Sequence, residues 1–102
     1  MRIYISGPIT GTDDYKKRFA KAEEYLRQQG YEVVNPARVN GQMPELKWEE
    51  YMNMSMTMLS LCDMIFMLRG WKESRGAKLE HDYAVDRSID TIYQKIGMYE
   101  EE

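Results

Sequence analysis

The stretch MNMSMTMLSLCDMIFML, residues 52–68, decides the fold class of this chain. In its first part, residues 52–61, apolar residues recur at every second position, a pattern typical of a half-buried strand. Methionine nevertheless favours helix over strand. The second part, DMIFML at 63–68, has the character of a buried strand with no turn before it, and a parallel strand needs a crossover helix there. The stretch therefore predicts a helix followed by a central strand of a parallel sheet.

The predicted helix has more apolar surface than one sheet face would cover. One helical face contains Trp48, Tyr51, Met52, Ser55, Leu59 and Cys62. The methionines spread further around the circumference, at Met52, Met54, Met56 and Met58. This pattern favours a homo-oligomer that forms through the helix around Met52 to Met58. Ordinary core packing by adaptable methionines explains the pattern equally well, and the sequence leaves both alternatives open.

Before this stretch, a strand, a helix and a second strand alternate. RIYIS at 2–6 predicts a strand, which GPITGT at 7–12 ends with glycine and proline. An i, i+4, i+7, i+11 stripe then predicts an amphipathic helix that stops at Gly30. The stripe consists of Tyr15, Phe19, Ala22 and Leu26. YEVVNP at 31–36 predicts a short strand, and ARVNGQMPELK at 37–47 a long, mostly irregular loop.

After the central strand the same alternation continues. RGWKES at 69–74 is a loop, a helix is expected at 75–88, and TIYQ at 91–94 predicts a last short strand. This order of elements is typical of an α/β fold with a parallel sheet of about four strands and helices on both faces.

Length, charge and cysteine content limit the class of protein. The 102 residues fit one domain, expected at 1–95, followed by an acidic tail at 96–102 whose end, YEEE, should be frayed and solvated. A net charge of −3 disfavours binding to a nucleic acid polymer or to a membrane surface. The single cysteine, Cys62, fits a reducing cytoplasm, and no signal peptide or membrane span is expected. We expect no metal site and no cofactor.

Three loops should meet at the carboxyl edge of the sheet, where parallel sheets bind ligands. These loops are residues 6–12, 35–47 and 69–76. In the first loop, Gly7, Pro8 and Gly11 would let the backbone approach a ligand. Its hydroxyl groups come from Ser6, Thr10 and Thr12. Because the loop has neither a G-x-G-x-x-G nor a Walker lysine motif, a dinucleotide or triphosphate site is disfavoured, and a plain strand-to-helix turn is the alternative.

The third loop runs into SRGAKLE, residues 74–80, which has a spacing suited to a catalytic carboxylate. Ser74 is placed either to cap the helix or to present its hydroxyl beside free backbone N–H groups. Glu80 lies on the same helical face as Gly76 and Ala77, whose small side chains leave room above its carboxylate for a substrate. A solvated surface glutamate is the alternative for Glu80.

Three nearby residues have competing interpretations. Trp71 stacks on a ligand base or closes the loop over the core. Asp63, at the start of the central strand, hydrogen-bonds loop backbone or acts on the ligand directly. His81 points about 100° around the helix from Glu80, so a Glu–His pair is not implied and a partly exposed helix residue is expected.

YISGPITG at the start, NP after the second strand, LCDMIFMLRGW and SRGAKLE together resemble the nucleoside 2-deoxyribosyltransferase superfamily, in particular its small bacterial and phage branch (DUF4406-like). The resemblance runs over roughly residues 2–93, and its most specific part is Ser74, Gly76 and Glu80 joined to Asp63. It implies a flavodoxin-like or Rossmann-like three-layer sandwich that cleaves or transfers N-glycosidic bonds of a nucleoside or nucleotide.

The resemblance also implies roles for single residues. Glu80 would be the nucleophile on the anomeric carbon, with Tyr4 near it and Asp63 as a further catalytic candidate. Ser74 and the Gly76 backbone would hold the 5′ end. The expected substrate-binding residues are Ser6, Gly7, Pro8, Thr10, Asn35, Trp71, Ser74 and Gly76.

One position departs from the pattern of the superfamily. Characterised members carry a second carboxylate eight residues before the strand aspartate, and that position is Ser55 in this sequence. A serine cannot act as a general acid near neutral pH. Either Asp63 or a residue of a neighbouring subunit replaces it, or catalysis is slow or absent. Two hypotheses therefore stand: an enzyme, and a nucleotide-binding protein of the same fold without turnover.

Overall fold

A computed structural model describes residues 1–9 and 11–99 of the chain. Within these residues, four strands form one sheet: β1 (Arg2–Ser6), β2 (Glu32–Val34), β3 (Met64–Met67) and β4 (Asp90–Tyr93). The helices are α1 (Tyr15–Gln28), α2 (Pro36–Asn40), α3 (Trp48–Ser60) and α4 (Arg75–Asp86), and a 3₁₀ turn (Trp71–Glu73) precedes α4. Among the helices described, none is both long and apolar enough to cross a bilayer.

The sheet is parallel throughout, with the strand order β2-β1-β3-β4. This is the order of the flavodoxin-like doubly wound sheets over their first four strands. The prediction of a parallel sheet of about four strands is confirmed.

The sheet has helices on both faces, because successive side chains of a strand point to opposite sides. One face packs against α1 through Ile3, Ile5, Phe19, Leu26 and Phe66. The other face packs against α3 and α4 through Tyr4, Leu59, Ile65, Met67, Ala77 and Ala84. The predicted three-layer sandwich is therefore confirmed, and β1 and β3 at its centre contribute to both cores.

The methionine-rich segment is helical, as predicted, and α3 begins earlier, at Trp48. Ser55 and Leu59 are buried between α3 and its neighbours, whereas Met52, Met54, Met56 and Met58 keep part of their surface exposed. The single chain thus covers the methionines incompletely. Assembly through this helix remains a prediction.

The mostly irregular loop expected at 37–47 begins with the short helix α2 and is irregular from residue 41 onward, so the prediction is wrong for residues 37–40 only. Asn35 caps α2 by accepting the backbone N–H of Ala37 through its side chain, and Pro36 occupies the first helical position. In the sequence, the pair Asn35 and Pro36 predicts the end of a strand, but the same two residue types also favour the start of a helix.

A buried carboxylate fixes α2 on α1. Glu23 of α1 accepts hydrogen bonds from the Asn35 carboxamide at 3.0 Å, from Arg27 at 2.8 Å and from Arg38 at 2.9 Å. Burial alone would raise the pKa of Glu23, but the bonds from Arg27 and Asn35 and the charge of Arg38 outweigh it and lower the pKa. The ion pair holds the segment after β2 beside the carboxyl edge of the sheet.

The chain after β4 returns to the α1 side of the sheet. Tyr99 stacks on Tyr25 with 4.8 Å between ring centroids, and Met98 packs against the same core. The expectation that the tail is solvated from Tyr99 onward is wrong for this residue, because its aromatic ring finds apolar surface to cover. Residues 100–102 lie outside the described part of the chain.

Candidate functional site

Glu80 lies between β1 and α4 as a buried carboxylate. Tyr4 and Ser6 are two residues apart in β1, so both side chains point to the α4 face of the sheet. The Tyr4 hydroxyl donates to one carboxylate oxygen of Glu80 at 2.5 Å, and the Ser6 hydroxyl donates to the other at 2.6 Å. Glu80 is only 6% exposed. The alternative of a solvated surface glutamate is therefore wrong.

The start of α4 explains how Glu80 reaches this position. Ser74 caps the helix, since its hydroxyl oxygen accepts the backbone N–H of Ala77 at 3.2 Å. Ala77, Glu80 and Ala84 share one helical face, and all three are buried. The two alanines let the helix lie close to the sheet, so a glutamate between them meets the hydroxyls of β1.

Burial dominates the electrostatics of this pair. It raises the pKa of Glu80, and hydrogen bonds from the hydroxyls of Ser6, Tyr4 and Ser55 reduce this rise without cancelling it. The pKa of Tyr4 is well above its ordinary value, because the phenol is buried and the negative charge of Glu80 lies beside it. Tyr4 therefore keeps its proton and acts as a donor to the carboxylate.

A cleft of about 550 Å³ opens over Glu80. This volume lies within the usual range for small-molecule sites, about 300–1,000 Å³. The segments after β1, β2 and β3 all contribute to its walls, as expected for a parallel sheet. The lining residues are Gly7, Ile9, Tyr15, Asn40, Trp48, Tyr51, Met52, Ser55, Glu73, Ser74, Arg75, Gly76, Ala77 and Glu80.

Two helices that begin at this edge form the long walls of the cleft. Ser55, Met52 and Trp48 follow one another along α3, while Glu80, Gly76 and Arg75 follow one another along α4. At the outer end, the Arg75 guanidinium lies 4.2 Å from the centre of the Trp48 ring. This cation–π contact joins the first residues of the two helices.

The glycines of the site serve packing as well as access. A Cβ at Gly76 would lie 3.1 Å from the Met52 sulfur, so the missing side chain lets α4 approach α3. A Cβ at Gly7 would lie 2.8 Å from Leu68 side-chain atoms. Gly7 lines the cleft as predicted, but its missing side chain makes room for the core residue Leu68 and not for a ligand.

Asp63 lies at the opposite edge of the sheet. Its carboxylate accepts the backbone N–H of Arg2 at 2.9 Å, and its own N–H donates to the Arg2 carbonyl. Ser6, which holds Glu80, lies four residues beyond Arg2 in β1. This separation is roughly 13 Å, at about 3.3 Å per residue. The expectation that Asp63 acts in catalysis, or replaces the carboxylate missing at Ser55, does not agree with this position.

Two other predicted substrate-binding residues, Asn35 and Pro8, are not part of the cleft lining. Asn35 is buried, and both ends of its carboxamide are used within the fold. Pro8 lies beside Gly70. Thr10 lies outside the described residues. Of the expected set, the cleft thus contains Gly7, Ser74 and Gly76 beside Glu80, while Ser6 and Tyr4 hold the carboxylate from beneath.

Trp71 and His81 form a separate aromatic cluster. Their rings stack with 4.2 Å between centroids, and His81 Nε2 lies 2.7 Å from the Tyr93 hydroxyl. Trp71 packs against the core on the α4 side. This position agrees with the interpretation that Trp71 closes its loop over the core, and His81 is not paired with Glu80.

The sequence interpretation did not assign the aromatic and amide side chains of the cleft. These are Tyr15, Asn40, Trp48 and Tyr51. A signal existed for α3, since two aromatic residues and Ser55 recur at i, i+3 and i+7 on one helical face, a mixed pattern that a purely apolar core face would not need. In the described chain no group of three or more His, Cys, Asp or Glu side chains could hold a metal ion.

Residues 1–93 match the family model of DUF4406, a domain of unknown function. The chain belongs to the DUF4406 family. No curated protein matches this DUF4406 chain.

Two solved structures have a similar fold. The 2-deoxyribosyltransferase from Bacillus psychrosaccharolyticus superposes with a TM-score of 0.70 at 19% identity, over 91% of the DUF4406 chain and 71% of that enzyme. The 2-deoxyribosyltransferase from Leishmania mexicana gives 0.68 at 18% identity, over 90% of the DUF4406 chain and 62% of that enzyme. These likenesses confirm the flavodoxin-like fold, and the family match over residues 1–93 confirms the DUF4406 part of the resemblance.

Replacing Glu80 by glutamine should stabilise the DUF4406 protein near neutral pH. Burial raises the pKa of Glu80 in the folded state, so ionisation of Glu80 favours the unfolded chain. The contribution of Glu80 to stability is fully present below its unfolded pKa of about 4.3 and is lost as the pH rises through its folded pKa. Glu80→Gln avoids this loss because glutamine does not ionise. A hydroxyl of Tyr4 or Ser6 can turn to accept a hydrogen bond from the glutamine amide N–H. Urea unfolding at pH 4 and pH 7.5 should show a gain for the variant only at the higher pH.

Glu24→Gln is the matched control, since Glu24 is exposed on α1. Its stability should stay within about 0.5 kcal/mol of the wild type at both pH values. A loss of stability in Glu80→Gln at neutral pH would show that the charge of Glu80 stabilises the fold, contrary to this account.

Proposed function

We propose that this DUF4406 protein cleaves or transfers the N-glycosidic bond of a nucleoside or nucleotide, with Glu80 as the nucleophile. The observation that carries the proposal is the buried Glu80 carboxylate, held by Tyr4 and Ser6 beside a cleft of about 550 Å³. The fold likeness to two 2-deoxyribosyltransferases supports it.

The chemistry uses a carboxylate to trap a sugar cation. As the bond from C1′ to the base nitrogen breaks, its electron pair leaves with the base, which takes up a proton, and positive charge develops on the sugar. A Glu80 oxygen bonds to C1′ and forms a glycosyl ester. Water or the nitrogen of a second base then attacks C1′, loses a proton to solvent and releases Glu80 as a carboxylate.

Tyr4 and Ser6 prepare Glu80 for this role. Their hydroxyls hold both oxygens of the carboxylate and leave lone pairs for C1′. Burial makes the ionised carboxylate less solvated than a surface glutamate, which raises its reactivity toward a cationic centre. The hydrogen bonds keep the side chain in one orientation, so attack needs little rearrangement.

Protonation of the leaving base is the weak step. The superfamily carboxylate expected on α3 is replaced by Ser55, which is buried, lines the cleft and counteracts the rise in the pKa of both Tyr4 and Glu80. Ser55 supports the second candidate function, a nucleotide-binding protein that retains the cleft without turnover, because a hydroxyl donates a proton poorly near neutral pH.

Incubation with deoxynucleosides and their 5′-monophosphates, with and without a second free base, tests the proposal. We expect released or exchanged base by chromatography with the wild type. Glu80→Gln should lower the rate by roughly a thousandfold or more while ligand binding persists, and exposed Glu24→Gln should keep the wild-type rate. Clear binding with no turnover would contradict the enzyme proposal and support the nucleotide-binding protein.

Restoring a carboxylate on α3 tests the role of Ser55. A carboxyl group in the cleft beside Glu80 should share a proton with it and protonate the leaving base, so Ser55→Asp should raise the rate of base release by about tenfold or more. Ser55→Ala, which removes the hydroxyl without adding an acid, should show no such gain. An equal rate in both variants would show that base protonation does not limit turnover.

A further inference from the structure

The wall of the cleft contains an amide oxygen that nothing in the described chain satisfies. Asn40, the last residue of α2, lines the cleft. Its Oδ1 atom is buried and accepts no hydrogen bond from any residue that the structure describes. Buried polar atoms without a partner are rare in folded proteins, and each calls for an explanation.

The side chain of Asn40 is also not fixed by the fold. Within the described residues its carboxamide makes no hydrogen bond, whereas the carboxamide of Asn35, at the other end of α2, uses both ends. The Asn40 carboxamide can therefore turn toward a donor that enters the cleft. Pairing with such a donor removes the cost of the unpaired oxygen, so the gain is realised only when a ligand is bound.

Tyr51 of α3 offers the complementary group. Its hydroxyl oxygen accepts the backbone N–H of Leu46 at 3.2 Å, and Tyr51 lines the same cleft. A hydroxyl that accepts one hydrogen bond still has its own hydrogen to donate. Helices α2 and α3 contact each other, so Asn40 and Tyr51 lie on adjoining walls.

We propose that Asn40 and Tyr51 recognise the edge of a nucleobase that carries an exocyclic amino group, as adenine and cytosine do. The Asn40 oxygen accepts an N–H of the amino group, and the Tyr51 hydroxyl donates to the neighbouring ring nitrogen. A base with a carbonyl at the same position places its acceptor oxygen beside the acceptor oxygen of Asn40. Such a base therefore binds less tightly. This inference rests on the proposed function, and it names the class of base that the cleft takes.

Two pairs of ligands test the inference, each pair differing in amino against carbonyl: 2′-deoxyadenosine with 2′-deoxyinosine, and 2′-deoxycytidine with 2′-deoxyuridine. Binding is measured by titration calorimetry in the Glu80→Gln protein, which holds these ligands without cleaving them. The amino member of at least one pair should bind about tenfold more tightly, the size of one well-formed base contact.

Variants at Asn40 separate recognition from folding. Adding Asn40→Leu removes the acceptor and should bring the preference below about twofold, without loss of stability, because the oxygen it deletes is unpaired. Adding Asn40→Asp, which only accepts, should retain the preference. Asn53→Leu is the matched control, since Asn53 is exposed on α3 and does not line the cleft, and it should leave the preference unchanged.

The outcomes distinguish this inference from the proposed function. Binding of all four nucleosides with equal affinity, tighter binding of the carbonyl members, or a preference that survives Asn40→Leu would overturn the inference alone. If none of the four binds, the proposed nucleoside site fails, and the inference fails with it.

Discussion

The hydrogen-bonded burial of the Glu80 carboxylate is the interaction on which the arrangement of the site depends. A carboxylate in the core costs free energy unless hydrogen bonds replace the water it loses. Tyr4 and Ser6 supply these bonds from one face of β1, at a spacing that only an extended strand provides. Glu80 can meet them only if α4 lies close to the sheet, and Ala77 and Ala84 permit that approach.

The cleft follows from the same constraint. Once α4 is fixed over β1, its first turn lies at the carboxyl edge of the sheet, beside the first turns of α3. Gly76 brings the two helices together at Met52, and Arg75 joins Trp48 at the rim. The ion pair between buried Glu23 and exposed Arg38 keeps α2 near this edge, so that Asn40 completes the wall. A reactive carboxylate, an aromatic wall and an amide thus converge from segments far apart in the sequence.

Local sequence patterns predicted the parts of the structure that depend on local rules. The methionine-rich helix before a buried strand required a crossover, and that requirement specified the parallel sheet. The spacing of Gly76, Ala77 and Glu80 identified the carboxylate with room above it. The same reasoning could have excluded Asp63, because a residue that opens a strand lies at the amino edge, away from a site at the carboxyl edge.

Other features depend on packing between distant segments, which one sequence does not reveal. The burial of Tyr99 requires Tyr25 on α1, and the role of Asn35 requires Glu23, twelve residues earlier. The aromatic residues of the cleft lie on α1 and α3, so they form one wall only because both helices pack beside Glu80. The lining of the cleft was therefore harder to predict than the burial of Glu80, whose small neighbours Gly76 and Ala77 lie within its own helix.

The proposed function requires that Glu80 forms a covalent bond to the sugar. Intact mass spectrometry of the wild-type protein, quenched with acid during incubation with a deoxynucleoside and without an acceptor base, tests it most directly. We expect a protein mass raised by one deoxyribosyl group, which peptide mapping locates at Glu80 and which is missing in Glu80→Gln. Base release without this adduct under any quench time, or an adduct on another residue, would contradict it.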